Sequence, residues 1–270
     1  MPASPHGTVV CLPTLADVEG YERREEATWR HITAGYPRFV RNALVSQAAQ
    51  QAAHRLQRPG SLFPLASRRA AERLLGWTRV TDAHVDDVGD WVLVSFPEGP
   101  ASEPFAKFVQ HTGALISSRQ AEAYLAGRTP DAAATAAALA RIRTVLAPYL
   151  SPVRPDDILV TLAGMNAVAA GMAAVNAVQG PRGKRVWIQL GWLYVDSTRL
   201  LEKATDTRHV FVPDVTDLAA VERLLAQGDV AGVFTEIPNN PQLETADVLA
   251  LRRLCDRYGA KLVLDPSSVG

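Results

Sequence analysis

Four short stretches in the second half of the chain carry residue types that could do chemistry. Ala163-Gly164-Met165-Asn166 opens an apolar helical pattern. A small residue followed by Gly at a helix N-terminus leaves backbone N–H groups at the positive end of the helix dipole, which suits a phosphate; without a ligand the same residues make a tight strand–helix turn. Gly191-Trp192-Leu193-Tyr194 offers an aromatic ring that could stack on a planar group or pack in a core. Glu236-Ile237-Pro238-Asn239-Asn240-Pro241 frames two amides with two prolines, giving either a rigid loop that aims an amide or an ordinary turn. Asp265 closes the apolar run Leu262–Leu264. A carboxylate at the end of a buried strand is costly unless paired, so Asp265 either caps the segment that follows or holds a protonated ring nitrogen. Other chemistries lack their signatures. No G-x-G-x-x-G follows a strand pattern, residues 180–185 (GPRGKR) lack the P-loop spacing, and the six His are scattered with no H-E-x-x-H.

What positions these stretches is a repeating grammar. Residues 158–163, 185–190, 209–213, 230–237 and 260–265 read as strands, and 165–179, 195–204, 217–227 and 245–259 as helices. Strands that are apolar throughout and alternate with helices predict a mostly parallel sheet covered on both faces. Ligands of such sheets sit beyond the carboxyl ends of the strands, where all four stretches fall. The amino-terminal part reads differently. Helices are expected at 41–57, at 67–76 (Ser67 as N-cap, Gly76 as stop), at 117–126 (capped by Ser117 or Ser118) and at 129–150 (Asp131 near its start), with one strand at 91–96. The expected division is 1–130, a mixed helical and strand region, and 131–270, the first part of a larger α/β domain.

Composition narrows the class. The chain of 270 residues has 28 Lys+Arg against 28 Asp+Glu, a formal net charge of +0. Phosphate arrays and anionic membranes call for a cationic surplus, so neither nucleic acid nor a membrane is the expected partner. Cys11 and Cys255 stand alone, which argues against a disulfide framework and for a reducing compartment. The first residues lack the pattern of a signal peptide, and a cytoplasmic protein is expected.

Taken in order, the four stretches resemble the pyridoxal-phosphate enzymes of Cys/Met metabolism, the cystathionine γ-synthase group of fold type I. The family's Ser-Gly-Met-Ala turn corresponds to AGMNAV (163–168), its L-Y-G-G-T segment to LYVDST (193–198), its E-x-P-S-N-P loop to EIPNNP (236–241), and its V-V-D-N/D-T strand end to LVLDPS (262–267). Segments 12–22, 33–45, 61–75 and 108–122 resemble the long, fungal-type branch and its bacterial relatives. The resemblance implies pyridoxal 5'-phosphate as cofactor. Ala163, Gly164 and Met165 would face its phosphate, and Tyr194 would stack on its ring. Asn240 would sit beside its phenolic oxygen, and Asp265 would pair with its ring nitrogen, with Ser267 in the position of the family's Thr. Arg119, in ISSR, matches the Arg of the family's Y-S-R segment, which reaches the phosphate of a neighbouring subunit. Ser117 replaces that segment's tyrosine, while Tyr36-Pro37-Arg38 matches the family's leading segment.

One element of the pattern does not appear. The family's Schiff-base lysine lies about one strand beyond the aspartate, and Lys107, Lys184, Lys203 and Lys261, the four lysines here, do not match its position. The expected function is therefore the cofactor-cradling portion of a γ-replacement or γ-elimination enzyme acting on an O-activated homoserine or a related amino acid. A second polypeptide or an additional copy would complete the site in an oligomer. The competing expectation is a non-catalytic relative with an interaction or regulatory role.

Overall fold

The computed structural model describes residues 4–8, 11–32, 40–97, 102–204 and 206–269. It divides into two units, Met1–Leu162 and Ala163–Gly270, so the boundary falls after the long Ala-rich helix rather than at 130/131. Tyr36, Pro37 and Arg38 lie outside the described residues.

The first unit contains α1 (Leu15–Glu22), α2 (Glu26–Trp29), α3 (Ala43–Leu56), β1 (Ser61–Leu65), α4 (Arg68–Thr78), β2 (His84–Val88), β3 (Trp91–Phe96), α5 (Ser102–Thr112), α6 (Ser118–Leu125) and α7 (Ala132–Leu146). The three strands form an antiparallel sheet in the order β1-β3-β2. Alternation along β3 sends Val92, Val94 and Phe96 into a core with α4 and α5, and Trp91 and Leu93 into a second core with α3 and α6. Helix starts follow the expected caps: Ser67 accepts from the Ala70 N–H, Asp131 from those of Ala133 and Ala134, and Ser117 forms a capping box with Gln120. Gly76 is not a stop. It lies inside α4, which ends at Arg79 in the left-handed conformation (φ 55°) with its N–H bonded to Leu75 O at 2.8 Å.

The second unit runs α8 (Gly164–Gln179), β4 (Val186–Leu190), α9 (Val195–Lys203), β5 (Arg208–Val212), α10 (Leu218–Leu225), β6 (Val230–Glu236), α11 (Val248–Tyr258) and β7 (Lys261–Asp265). Its sheet is wholly parallel, in the order β5-β4-β6-β7. Ile188, Leu190, Val233 and Val230 meet Val221, Leu225, Leu251 and Cys255 of α10 and α11 in its core. Trp187 of β4 is fully buried and donates its indole N–H to Asn176 Oδ1 of α8 at 2.8 Å, fixing that helix to the sheet. Gly232 makes room for it: a Cβ there would lie 2.7 Å from the Trp187 ring.

Two expectations change. Residues 158–163 form no strand, because among the described residues their apolar run has no neighbouring strand with which to exchange backbone hydrogen bonds; Leu159, Val160 and Leu162 are exposed. The run Leu262–Leu264 is half-buried rather than core, since β7 pairs on one side alone. Among the described residues no helix is long and apolar enough to cross a membrane.

Candidate functional site

The sheet order reverses at β4. From β4 the chain crosses to β5 on one side, then returns past β4 to place β6 on the other. In open parallel sheets this switch point opens a crevice at the carboxyl ends of the strands. The turn after β4 carries Tyr194, and the loop after β6 carries Asn239 and Asn240, so the two segments flank the crevice.

The β4–α9 turn depends on Gly191. Its φ is +72°, its N–H bonds Val212 O at 2.8 Å, and a Cβ would approach Val215 Cγ1 to 2.4 Å. The turn buries Leu193 and leaves Tyr194, the N-cap position of α9, 39% exposed. Tyr194 is thus not a core aromatic.

In the β6 loop the fully buried amide is Asn239, not Asn240. Asn239 Oδ1 accepts from the Glu244 N–H at 3.0 Å, and its backbone bonds Glu244 O and the Leu243 N–H, closing the loop on itself. Asn240 is exposed. Glu236, 5% exposed, accepts the Tyr194 backbone N–H on Oε1 and so joins the two sides of the crevice. Burial pushes its carboxyl above the ordinary value, the Asp265 charge adds to this, and the N–H bond from Tyr194 opposes it.

Asp265 stands opposite Glu236 in the β6–β7 register, with Asp265 O accepting from the Ile237 N–H at 3.0 Å. Its Oδ1 takes the Ser267 N–H at 3.0 Å and the Ser267 hydroxyl at 2.6 Å. The capping geometry is therefore present, while Oδ2 accepts no hydrogen bond among the described residues. Ala163 caps α8 without a side-chain bond, and a Cβ on Gly164 would meet open space. The start of α8 is tied to that of α9 through Met165 Sδ and Ser197 Oγ, 3.7 Å apart.

Met165, Tyr194, Glu236, Asp265 and Ser267 thus form one linked set at one end of the sheet, with Gly164 and Asn240 on the same segments. The parts match a pyridoxal phosphate: an uncapped helix start for the phosphate, an exposed aromatic face for the ring, an amide, and a carboxylate oxygen for a cationic nitrogen. The lysines of this unit lie elsewhere. Lys184 precedes β4 and donates to Tyr258 O at 2.8 Å, at the amino ends of the strands. Lys261 starts β7, roughly 13 Å of strand before Asp265, and Lys203 ends α9, which has run back toward the amino ends. Arg119 is exposed on α6 of the first unit and is not part of this set. Sequence reading missed Glu236 and Asn239; an acidic residue ending an otherwise buried strand, Val230–Glu236, was the available signal for the first.

No family model matches the chain. An L-2-amino-4-chloropent-4-enoate dechlorinase/desaturase from Streptantibioticus cattleyicolor is 39% identical over 98% of this chain and 55% of its own length. A cystathionine gamma-synthase-like protein from Aspergillus thermomutatus is 24% identical over 98% of this chain and 56% of its own. The chain belongs to the cystathionine γ-synthase-like family. Enzymes of this family depend on pyridoxal phosphate. The chain spans about half the length of these two relatives. A solved structure of O-acetylhomoserine sulfhydrylase from Wolinella succinogenes is 25% identical over 37% of this chain and 29% of its own, with a TM-score of 0.32.

Proposed function

We propose that this chain holds pyridoxal 5'-phosphate at the carboxyl ends of β4, β6 and β7, as the cofactor-cradling part of an enzyme that eliminates or replaces a group on Cγ of an amino acid. The observation that carries this reading is the grouping of Gly164, Tyr194, Asn240 and Asp265 around the switch point. Bound there, the cofactor supplies an electron sink for charge developing at the substrate Cα. The chain's own residues bind and orient it. The first turn of α8 takes the phosphate, the Tyr194 ring covers one face, the Asn240 amide donates to the phenolic oxygen, and Asp265 Oδ2 accepts a hydrogen bond from the ring nitrogen. Asp265 thereby keeps that nitrogen protonated. The relative from Streptantibioticus cattleyicolor is named for a substrate with chlorine on its fourth carbon, the γ position, which supports a γ-substituted amino acid such as an O-activated homoserine. The lysine that must engage the cofactor comes from a second polypeptide or from further chain, within an oligomer in which Arg119 reaches a neighbour's phosphate.

The test is to isolate the protein with whatever polypeptide accompanies it, add pyridoxal phosphate, reduce with borohydride and map the modified lysine. The expected adduct lies on a lysine other than Lys107, Lys184, Lys203 and Lys261. An adduct on one of these four, with turnover, refutes the proposal. A second reading, a non-catalytic relative, is favoured by the capping of Asp265 Oδ1 by Ser267. It predicts no reducible adduct in any assembly.

A further inference from the structure

Glu236 is a residue that neither the cofactor assignment nor the caps of neighbouring elements explain. It is the last residue of β6, 5% exposed, in a strand whose other residues are all buried. A carboxylate in such a place needs donors. Its donor comes from across the crevice: the backbone N–H of Tyr194, from the turn after β4. Its neighbour across the β6–β7 ladder is Asp265.

We infer that Glu236 is the positioning residue of this site, a tie whose carboxylate fixes the turn that carries the Tyr194 ring against the end of β6, beside Asp265. The inference rests on the cofactor reading above for what the tie serves, but the tie is a property of this chain. The physical reason for a carboxylate is that an ionised acceptor makes the stronger bond. Gln at this position keeps a neutral acceptor oxygen for the Tyr194 N–H and turns an NH2 group toward the rest of the pocket. Ala offers nothing, and the turn after β4 then loses its tie to β6.

Two measurements on the protein with any co-purifying polypeptide test this separately. The first is backbone amide hydrogen exchange at Tyr194 in wild type, Glu236→Ala and Glu236→Gln. The second is the affinity for pyridoxamine 5'-phosphate, a probe that binds without a lysine. Exchange at this amide is expected to speed up in the Ala variant by about tenfold or more, the equivalent of losing a hydrogen bond to a charged group, with a smaller change in the Gln variant. The amides of Ile188 and Val233, in the core of the same sheet, are expected to stay at their wild-type rates. Probe affinity is expected to fall in the same order, by about tenfold or more in the Ala variant. An Ala variant whose Tyr194 amide exchanges at the wild-type rate overturns the inference whatever its affinity, and so does a uniform acceleration that includes Ile188 and Val233. If the Ala variant does not fold, the Gln variant decides: unchanged exchange at Tyr194 overturns the tie. A wild-type protein that fails to bind the probe refutes the cofactor reading alone, and the exchange data still decide the tie.

Discussion

Replacing Gly191 with Ala strains the turn that delivers Tyr194 to the crevice, and the cost can be worked from the geometry. The backbone there has φ +72°, where an L side chain costs about 1–2 kcal/mol. The new methyl would sit 2.4 Å from Val215 Cγ1 and 3.3 Å from Asn239 Nδ2. Val215 is 2% exposed and packed in the core with Leu190 and Val212, so it has little space to retreat. Overpacking of this kind costs about 1–3 kcal/mol. The sum, about 2–5 kcal/mol, is a large part of the roughly 5–15 kcal/mol that keeps a domain folded. Thermal denaturation followed by circular dichroism should show a midpoint lowered by roughly 4–20 °C. The two contributions separate in a double variant. Val215→Ala removes the contacting methyl, so adding Gly191→Ala in that background should cost about 1–2 kcal/mol, the backbone part alone. The affinity for pyridoxamine 5'-phosphate should fall with the turn, because Tyr194 is three residues downstream. A Gly191→Ala protein within about 0.5 kcal/mol of wild type, the range of an innocuous surface change, would refute the reasoning. An equal cost in the two backgrounds would refute the steric half of it.

Asp265→Asn should keep the fold, since Asn caps as well as Asp, yet lower activity by orders of magnitude in the lysine-bearing assembly; full activity there would refute the pairing with the ring nitrogen. Cys255, buried against α10 and β6, has its thiol pushed up to about 11 by burial, whereas Cys11 is exposed. Near neutral pH a thiol reagent should therefore label Cys11 and leave Cys255 untouched until unfolding, and labelling of native Cys255 would contradict the packing. The sign of the accompanying pH effect follows: above the ordinary thiol value the unfolded chain releases a proton that the folded chain holds, so denaturant stability should decline as pH rises toward about 11.

Much of the second unit was legible because its signals are local and repeated. Strand runs such as Val186–Leu190 and Val230–Glu236 are largely apolar and buried along their whole length, and the helical patterns at 217–227 and 245–259 begin beside Asp217 and Asp247, which cap α10 and α11. The first unit was harder. β1 carries Pro64, which reads as a break, yet it pairs with β3 on one side, and on the other Pro64 contributes its carbonyl, which accepts the Ile116 N–H at 3.1 Å beside the Leu65–Leu115 bridge. β2, His84–Val88, contains two aspartates, and its strand character comes from pairing with β3 rather than from its composition. The reverse holds for 158–163. Its composition reads as a strand, yet a strand is made by its ladder, and among the described residues this run of Ile, Val and Leu joins neither sheet.

The site shows the same division between what a residue type announces and what only pairing reveals. Tyr194 and Asp265 were visible because each stands at or just beyond the carboxyl end of a strand, where ligands bind, whereas Gly164 opens α8 after a run that forms no strand. Asn240 was chosen over Asn239 because a motif fixes positions but not burial. The structure gives Asn239 the buried work of closing the loop and leaves the Asn240 side chain exposed, which is what a ligand-facing amide requires. The role of Glu236 is not legible in the sequence, because it lies in a backbone N–H donor 42 residues away, at Tyr194. No residue type at position 194 would have disclosed such a bond, since every non-proline residue offers the same N–H. What was readable was the cost. β6 ends in a carboxylate that the fold buries, beside a second carboxylate on β7, and a chain that keeps both there must supply donors for them. Ser267 supplies them for Asp265, and the Tyr194 backbone supplies one for Glu236, so the two acids that close the parallel strands also hold together the segments that would hold the cofactor.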